Sequence, residues 1–127
     1  QNTHPTIKYY FDIHRDSVNK KLTTVNINNK SYARILFVVG LEHSNYQENL
    51  NNANKLNSII DKKYPGLSRG IYKKEGPGVN GIYNQDISSK VFLIELGGID
   101  NNIEEVLNTI NALTDTITTY INQNEKE

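Results

Sequence analysis

The sequence predicts an α/β domain with a mainly parallel central sheet flanked by helices. Short runs of apolar, β-branched and aromatic residues alternate with two longer segments whose apolar residues recur at helical spacing. Two helices with wide apolar faces need a sheet to cover, and the short apolar runs supply its strands. The 127 residues are enough for one domain with its own core.

The first third of the chain predicts extended structure. A strand is expected at Ile7–Ile13, and a second extended stretch at Leu22–Ile27 meets the turn-type pair Asn28–Asn29. Tyr32–Val39 follows, and its Ile35–Val39 run is typical of a strand buried on both faces.

The middle of the chain predicts one helix and one long loop. A capping-box pattern starts at Ser44, and the helix is expected to run to about Lys63, before Pro65–Gly66. Residues Ser68–Ser89 are interpreted as a functional loop with one short extended piece near Ile71.

The last third predicts a buried strand and a long helix. Val91–Glu95 is the expected strand, Gly97–Gly98 the turn, and Asp100 or Asn101 the cap of the final helix. That helix carries one apolar stripe, formed by Ile103, Val106, Leu107, Ile110, Leu113, Ile117 and Ile121.

Composition excludes several classes of function. The 14 basic and 14 acidic residues give zero net charge, which does not favour nucleic acid or an acidic membrane surface. The absence of cysteine removes disulfides, thiolate metal sites and Cys nucleophiles. No nucleophile elbow, phosphate loop or His-Glu-x-x-His helix occurs. The chain lacks methionine and opens almost directly on a strand, so we expect an internal piece of a longer protein.

His14 and Glu95 are the candidate site residues, because each ends an apolar run. Ligands bind at the carboxyl ends of strands in open α/β sheets, so an imidazole and a carboxylate delivered there predict one hydrolytic site. Asp12 and Asp16 flank His14 and are suited to orienting its second ring nitrogen, as metal-bound imidazoles require.

The alternatives for these residues are structural. A lone histidine at a strand end is more often a hydrogen-bonded structural residue than a metal ligand. Glu95 could instead form a salt bridge to one of three arginines, Arg15, Arg34 or Arg69. His43 could approach the same edge but is more typical of a loop, and His4 is expected to be exposed and inert.

A family resemblance distinguishes between these alternatives. It rests on six segments in order: Asp12–Ser17 (Asp-Ile-His-Arg-Asp-Ser), Asn29–Ile35, Phe37–Gly40, Tyr64–Ile71, Tyr83–Asp86 and Leu93–Gly98. Through them the chain resembles the stage II sporulation protein P family over nearly its whole length. It is similar, more distantly, to zinc-dependent N-acetylmuramoyl-L-alanine amidases of the cell-wall hydrolase class.

The resemblance implies roles for individual residues. His14 matches a zinc ligand of the family, and Glu95 matches the catalytic glutamate that accepts a proton from water. The family's other zinc ligands lie upstream and have no counterpart here. Residues 1–127 therefore resemble the C-terminal portion of a single amidase catalytic domain, which alone is expected to be inactive.

Substrate-binding residues are expected around the same site. Arg15 and Arg69 could pair with stem-peptide carboxylates, a role suited to guanidinium, although holding the long loop is an equal alternative. Asn84 and Gln85 could bond substrate amides.

The resemblance also implies a cellular setting. It predicts a peptidoglycan substrate, endopeptidase cleavage of crosslinks by the same amide chemistry, and partners in stage II sporulation proteins D and M. The parent is expected to be exported and membrane-anchored, facing the cell wall or the space between mother cell and forespore during engulfment. The competing hypothesis is a noncatalytic peptidoglycan-binding or protein-interaction module.

Overall fold

The computed structural model describes residues 10–40, 46–74 and 91–125. Six strands and two helices follow one another in these ranges. They are β1 (Tyr10–Asp16), β2 (Thr24–Ile27), β3 (Lys30–Ala33), β4 (Ile35–Gly40), α1 (Tyr46–Lys63), β5 (Ser68–Lys74), β6 (Val91–Gly98) and α2 (Ile103–Glu125). The expected cap of α1, Ser44, lies outside the described residues.

The main sheet has four strands in the order β1-β6-β4-β5. β1 pairs with β6, and β4 with β5, in parallel, whereas β4 and β6 are antiparallel. This arrangement confirms a mainly parallel central sheet flanked by helices. It also brings the carboxyl ends of β1 and β6 to the same end of the sheet as the first residues of β4 and β5.

The run predicted at Tyr32–Val39 is divided between two sheets at Arg34. The Arg34 amide donates to the Thr23 carbonyl at 2.7 Å, and its carbonyl accepts from the Gly97 amide at 2.7 Å. β2 and β3 form a separate hairpin, closed by Asn28 and Asn29, whose φ angles of 52° and 68° match the two-residue turn that hairpins favour. The turn prediction at this pair is confirmed.

The core lies between one face of the main sheet and the two helices. Ile35 and Phe37 of β4, and Ile94 of β6, are buried and belong to one apolar cluster with both helices. The helices contact each other as well as the sheet. The buried helix residues of this cluster are Ala53, Leu56, Ile59, Ile60, Ala112, Leu113 and Tyr120. Side chains alternate across a strand, so residues such as Glu95 project from the opposite face.

Three local predictions were wrong. Ser68–Lys74, expected to be mostly loop, is a full strand, because it pairs with the buried β4. β6 continues through Gly97–Gly98, where a turn was expected, since Gly98 pairs with Asp16. The cap of α2 is Asn102: its Oδ1 accepts from the Glu105 amide at 2.9 Å, and its own amide donates to Glu105 Oε1 at 3.1 Å.

An apolar groove runs between β1 and α2. Within the described residues β1 pairs on one side alone, with β6, and Ile13 beside its open edge is 50% exposed. Ile103 and Ile110 of α2 line the same groove of about 460 Å³ and are also exposed. None of the described helices is long and apolar enough to cross a membrane.

Candidate active site

His14 and Glu95 lie directly opposite each other in the parallel pairing of β1 with β6. Paired residues of neighbouring strands project from the same face of a sheet. Both side chains line one small pocket of about 190 Å³ on the face away from the core. The sequence had indicated that each of these residues ends its strand. That prediction is wrong, because β1 runs on to Asp16 and β6 to Gly98.

His14 is accessible, and one of its ring nitrogens is held by a carboxylate. Its Nε2 lies 3.0 Å from Asp12 Oδ1, and the two side chains are 56% and 41% exposed. The expected orienting role is therefore taken by Asp12. With Nε2 engaged, Nδ1 is the nitrogen through which this imidazole could bind a ligand.

Asp16 faces Glu95 and Arg69 instead of His14. Its Oδ2 lies 2.7 Å from Arg69 Nη1, and its Oδ1 accepts the Ser17 amide at 2.7 Å. Its carboxyl group is also hydrogen-bonded to that of Glu95. Burial by itself raises the pKa of Asp16, but Arg69, Glu95 and the backbone amides together hold that pKa below its ordinary value.

Glu95 has the opposite electrostatic environment. Burial raises the pKa of Glu95, and the hydrogen bond and negative charge of Asp16 raise it further, whereas Arg69 and Lys74 oppose the shift. In this pair of carboxyl groups Glu95 is therefore the weaker acid and Asp16 the stronger. A carboxyl group of raised pKa is the better proton acceptor of the two.

Three arginines were predicted as possible partners of Glu95 or of the substrate. Each of them makes hydrogen bonds to other groups of the protein. Arg15 Nη2 donates to the carbonyls of Gly98 and Asn101 at 3.0 and 3.2 Å, which ties β1 to the start of α2. Arg34 donates to backbone carbonyls on either side of β4, those of Leu22, Gly66 and Ser68. Arg69 pairs with Asp16.

Other predicted residues fall outside the described ranges. These are Asn84 and Gln85, together with His4 and His43. In residues 10–40, 46–74 and 91–125, no three His, Cys, Asp or Glu side chains are grouped so as to hold a metal ion. The structure thus supplies one accessible imidazole and one raised-pKa carboxyl group, and their zinc-binding and catalytic roles stay predictions.

Sequence reasoning missed Lys74 as a site residue and assigned Asp16 to His14 instead of to Glu95. Lys74 lines the pocket with His14 and Glu95, and Asp16 contacts Glu95. The Asp-x-His-x-Asp alternation of β1 was a signal for Asp16, because residues two apart share a face. No signal pointed to Lys74, since β5 was interpreted as loop.

Comparison with known proteins now bears on this site. The family model described as stage II sporulation protein P (SpoIIP) matches residues 1–118. The chain belongs to the stage II sporulation protein P family. It is 50% identical over 109 residues to the stage II sporulation protein P of Bacillus subtilis (strain 168). No solved structure matches the chain.

The family match confirms the resemblance to the stage II sporulation protein P family that the motifs indicated. The aligned region covers 86% of this chain but 27% of the Bacillus subtilis protein, so the chain spans about a quarter of that relative's length. The matched residues include β1, β6 and the whole pocket. The link to sporulation is therefore established at the level of the family.

Proposed function

We propose that this chain is the C-terminal part of the catalytic domain of a zinc-dependent peptidoglycan hydrolase, an N-acetylmuramoyl-L-alanine amidase that acts in sporulation. One observation carries the proposal: His14 and Glu95 are register partners on neighbouring parallel strands and line one pocket. An accessible imidazole beside a carboxyl group of raised pKa is the minimum that metal-assisted amide hydrolysis needs from this part of a domain.

The donor chemistry of His14 fits zinc. Its imidazole is accessible, and the Asp12 carboxylate on the second nitrogen is the partner that zinc-bound histidines commonly have. Catalytic zinc sites take about three protein ligands, so the remaining ones are proposed to lie in the longer protein, upstream of this chain. When bound, zinc supplies Lewis acidity to water and to the carbonyl of the scissile amide.

Glu95 is proposed as the general base and acid. Its carboxylate accepts a proton from the attacking water and then delivers it to the amine that leaves as the lactyl amide bond breaks. The raised pKa suits this exchange, because the carboxylate of a strongly acidic group would be too weak a base to accept the proton. Asp16, held by Arg69, positions the Glu95 carboxyl group.

The proposed setting is the cell wall of a sporulating cell. Peptidoglycan is the substrate, and cleavage of peptide crosslinks by the same site follows the same amide chemistry. The longer protein is proposed to be exported and membrane-anchored, facing the wall or the space between mother cell and forespore, with stage II sporulation proteins D and M as partners.

The test compares metal content with turnover in the longer protein. His14→Ala should lose both zinc and the release of stem peptides from peptidoglycan, since it removes a ligand. Glu95→Gln should keep zinc, measured by elemental analysis, but lose turnover, because an amide keeps the shape and cannot take the proton. Lys55→Gln, an exposed change on α1, is the matched control and should behave as wild type.

Two results would overturn the proposal. Full turnover by Glu95→Gln would make Glu95 structural. A wild-type protein that binds peptidoglycan without zinc and without cleaving it would favour the noncatalytic binding module.

A further inference from the structure

The face of the main sheet that is turned away from the helices carries a row of apolar side chains. Val38 is the register partner of Tyr72 on one side and of Leu93 on the other, so these residues form one line across β5, β4 and β6. None of the three belongs to the core cluster that the two helices cover. Glu95 lies two residues beyond Leu93 on β6, so it projects from the same face as this row.

The two ends of the row differ in exposure. Val38 and Leu93 are almost fully buried and line the pocket that contains His14 and Glu95. Tyr72, at the β5 end, is 51% exposed. Strands lie about 4.8 Å apart and residues follow at about 3.3 Å along a strand, so the Cα atoms of Tyr72 and Glu95 are roughly 12 Å apart. The tyrosine therefore lies beside the pocket, at its outer side.

The Tyr72 ring is free to meet a ligand. Within the described part of the chain, its ring and hydroxyl form no hydrogen bond, ion pair or ring contact. The rings of Tyr32 and Tyr64, in contrast, lie 6.2 Å apart, and the Tyr64 hydroxyl donates to Asp115. Gly70, two residues before Tyr72, adds no side chain, and an added Cβ there would meet nothing within 4 Å. The surface on that side of the tyrosine is thus open.

We propose that Tyr72 is a stacking platform for one sugar ring of the glycan strand. This inference rests on the proposed function, because it names the part of the peptidoglycan that meets the protein beside the pocket. One face of a pyranose ring exposes C–H groups, which leave water when they pack on an aromatic ring, while the hydroxyls at the sugar edge stay solvated. Linked sugars that rest on Tyr72 can extend along the row of Val38 and Leu93, so that a peptide bonded to them enters the pocket.

The experiment measures sugar binding by the 127-residue chain, without zinc or turnover. The probes are tri-N-acetylchitotriose, which consists of N-acetylglucosamine rings alone, and a stem peptide that carries no sugar. NMR titration follows the backbone amides of β4 and β5, and nuclear Overhauser contacts between sugar C–H protons and the Tyr72 ring are recorded on the wild-type chain. We expect millimolar binding of the sugar with contacts to the Tyr72 ring, and no binding of the peptide that depends on Tyr72.

Three variants assign the effect to the ring. Tyr72→Thr removes the ring but keeps a residue that favours strands, and it should weaken sugar binding about threefold to tenfold, as expected for the loss of one aromatic contact. Tyr72→Phe should bind the sugar nearly as well as wild type, because the ring is kept. Tyr46→Thr, the same change at an exposed tyrosine of α1, which packs on the other face of the sheet, should bind as wild type does.

The outcomes separate this inference from the proposed function. No sugar binding, binding without contacts to the Tyr72 ring, equal binding by Tyr72→Thr, or binding of the peptide through Tyr72 instead of the sugar would overturn it, whatever the longer protein hydrolyses. Sugar binding that is weakened in Tyr72→Thr and kept in Tyr72→Phe supports it, even if the zinc and turnover comparison goes against an amidase. If Tyr72→Thr does not fold, the ring contacts of the wild-type chain decide.

Discussion

Asp16 Oδ2 lies 2.7 Å from Arg69 Nη1, and this ion pair joins β1 and β5, the two outer strands of the main sheet. Its side chains are only 14% and 20% exposed. Glu95 of β6 is hydrogen-bonded to the same Asp16 carboxylate. The pair therefore fixes the position of the group proposed to transfer the proton.

The Asp16–Arg69 pair should show strong coupling in a double-mutant cycle. Removing either partner leaves a partly buried charge without its counter-charge, so Asp16→Asn and Arg69→Gln should each destabilise the fold by about 1–3 kcal/mol. The double variant should lose much less than the sum of the two. Urea unfolding of the four proteins measures the coupling.

The exposed pair Lys63–Asp115, at 3.3 Å, provides the control cycle. Solvent screens it, so its coupling should be clearly smaller. Equal coupling in both cycles would contradict a special role for the Asp16–Arg69 pair.

Glu105 should make stability depend on pH in the acid range. Burial by itself raises the pKa of Glu105, but Ser31, Asn101, the Asn102 amide and Lys20 lower it to about 2 from an ordinary 4.5. A depressed folded-state pKa adds stability that is fully present above 4.5 and is lost as the pH falls toward about 2. The contribution at neutral pH is roughly 3 kcal/mol.

Glu105→Gln tests that linkage directly. The glutamine keeps the size of the side chain but cannot titrate, so urea midpoints measured from pH 6 down to about 2 should decline less than in wild type. Asp61→Asn, an exposed change on α1, should leave the wild-type slope intact. If the urea midpoint falls equally with pH in wild type and in Glu105→Gln, other carboxyl groups dominate the pH dependence of stability.

Gly97 should not tolerate a side chain. Its φ of 64° is in the left-handed region, and an added Cβ would lie 2.7 Å from Asn101 Oδ1 and 2.8 Å from Ala33 Cβ. Left-handed backbone costs a non-glycine residue about 1–2 kcal/mol, and the close contacts add to that. Gly97→Ala should therefore lower the unfolding midpoint strongly.

Gly70 is a matched comparison for Gly97. It also has positive φ, 102°, but an added Cβ there meets nothing within 4 Å. Gly70→Ala should cost clearly less than Gly97→Ala. A larger loss at Gly70 would mean that backbone strain, rather than contact with Asn101 and Ala33, limits these positions.

The 127-residue chain alone should bind zinc weakly through His14. One imidazole cannot hold zinc against water, so calorimetry should give a low affinity that His14→Ala weakens further. Asp12→Asn should weaken it by about tenfold, because the amide orients the ring less strongly than the carboxylate does. Tight binding that survives His14→Ala would place the metal elsewhere.

Element types were largely predictable because the strongest patterns belong to buried segments. The Ile35–Val39 run encodes its own burial, and Asn28–Asn29 encode their turn. The predicted α2 stripe is only partly buried, because Ile103, Leu107 and Ile110 are exposed and Leu113 is its one buried member. β5 was missed because Ser68–Lys74 carries few apolar residues and becomes a strand only by pairing with β4. Propensity could not reveal a strand that depends on its partner.

The candidate site was predictable in part for a similar reason. His14 and Glu95 were found because each follows apolar residues, and their shared face follows from the parallel register. The sequence could not say that Asp16 contacts Glu95 or that Arg15 and Arg69 are held by the protein. Those contacts join residues far apart in the chain, so only the fold brings them together.

The pairing of β1 with β6 has a consequence for the order of events during synthesis. Arg15 bonds to Gly98 across 83 residues, and β1 has its described strand partner only in β6. The ribosome therefore releases β1 long before its neighbour exists, and contacts of such high sequence separation form slowly. The hairpin β2–β3 can close early, whereas the pocket can assemble only after nearly the whole chain has emerged.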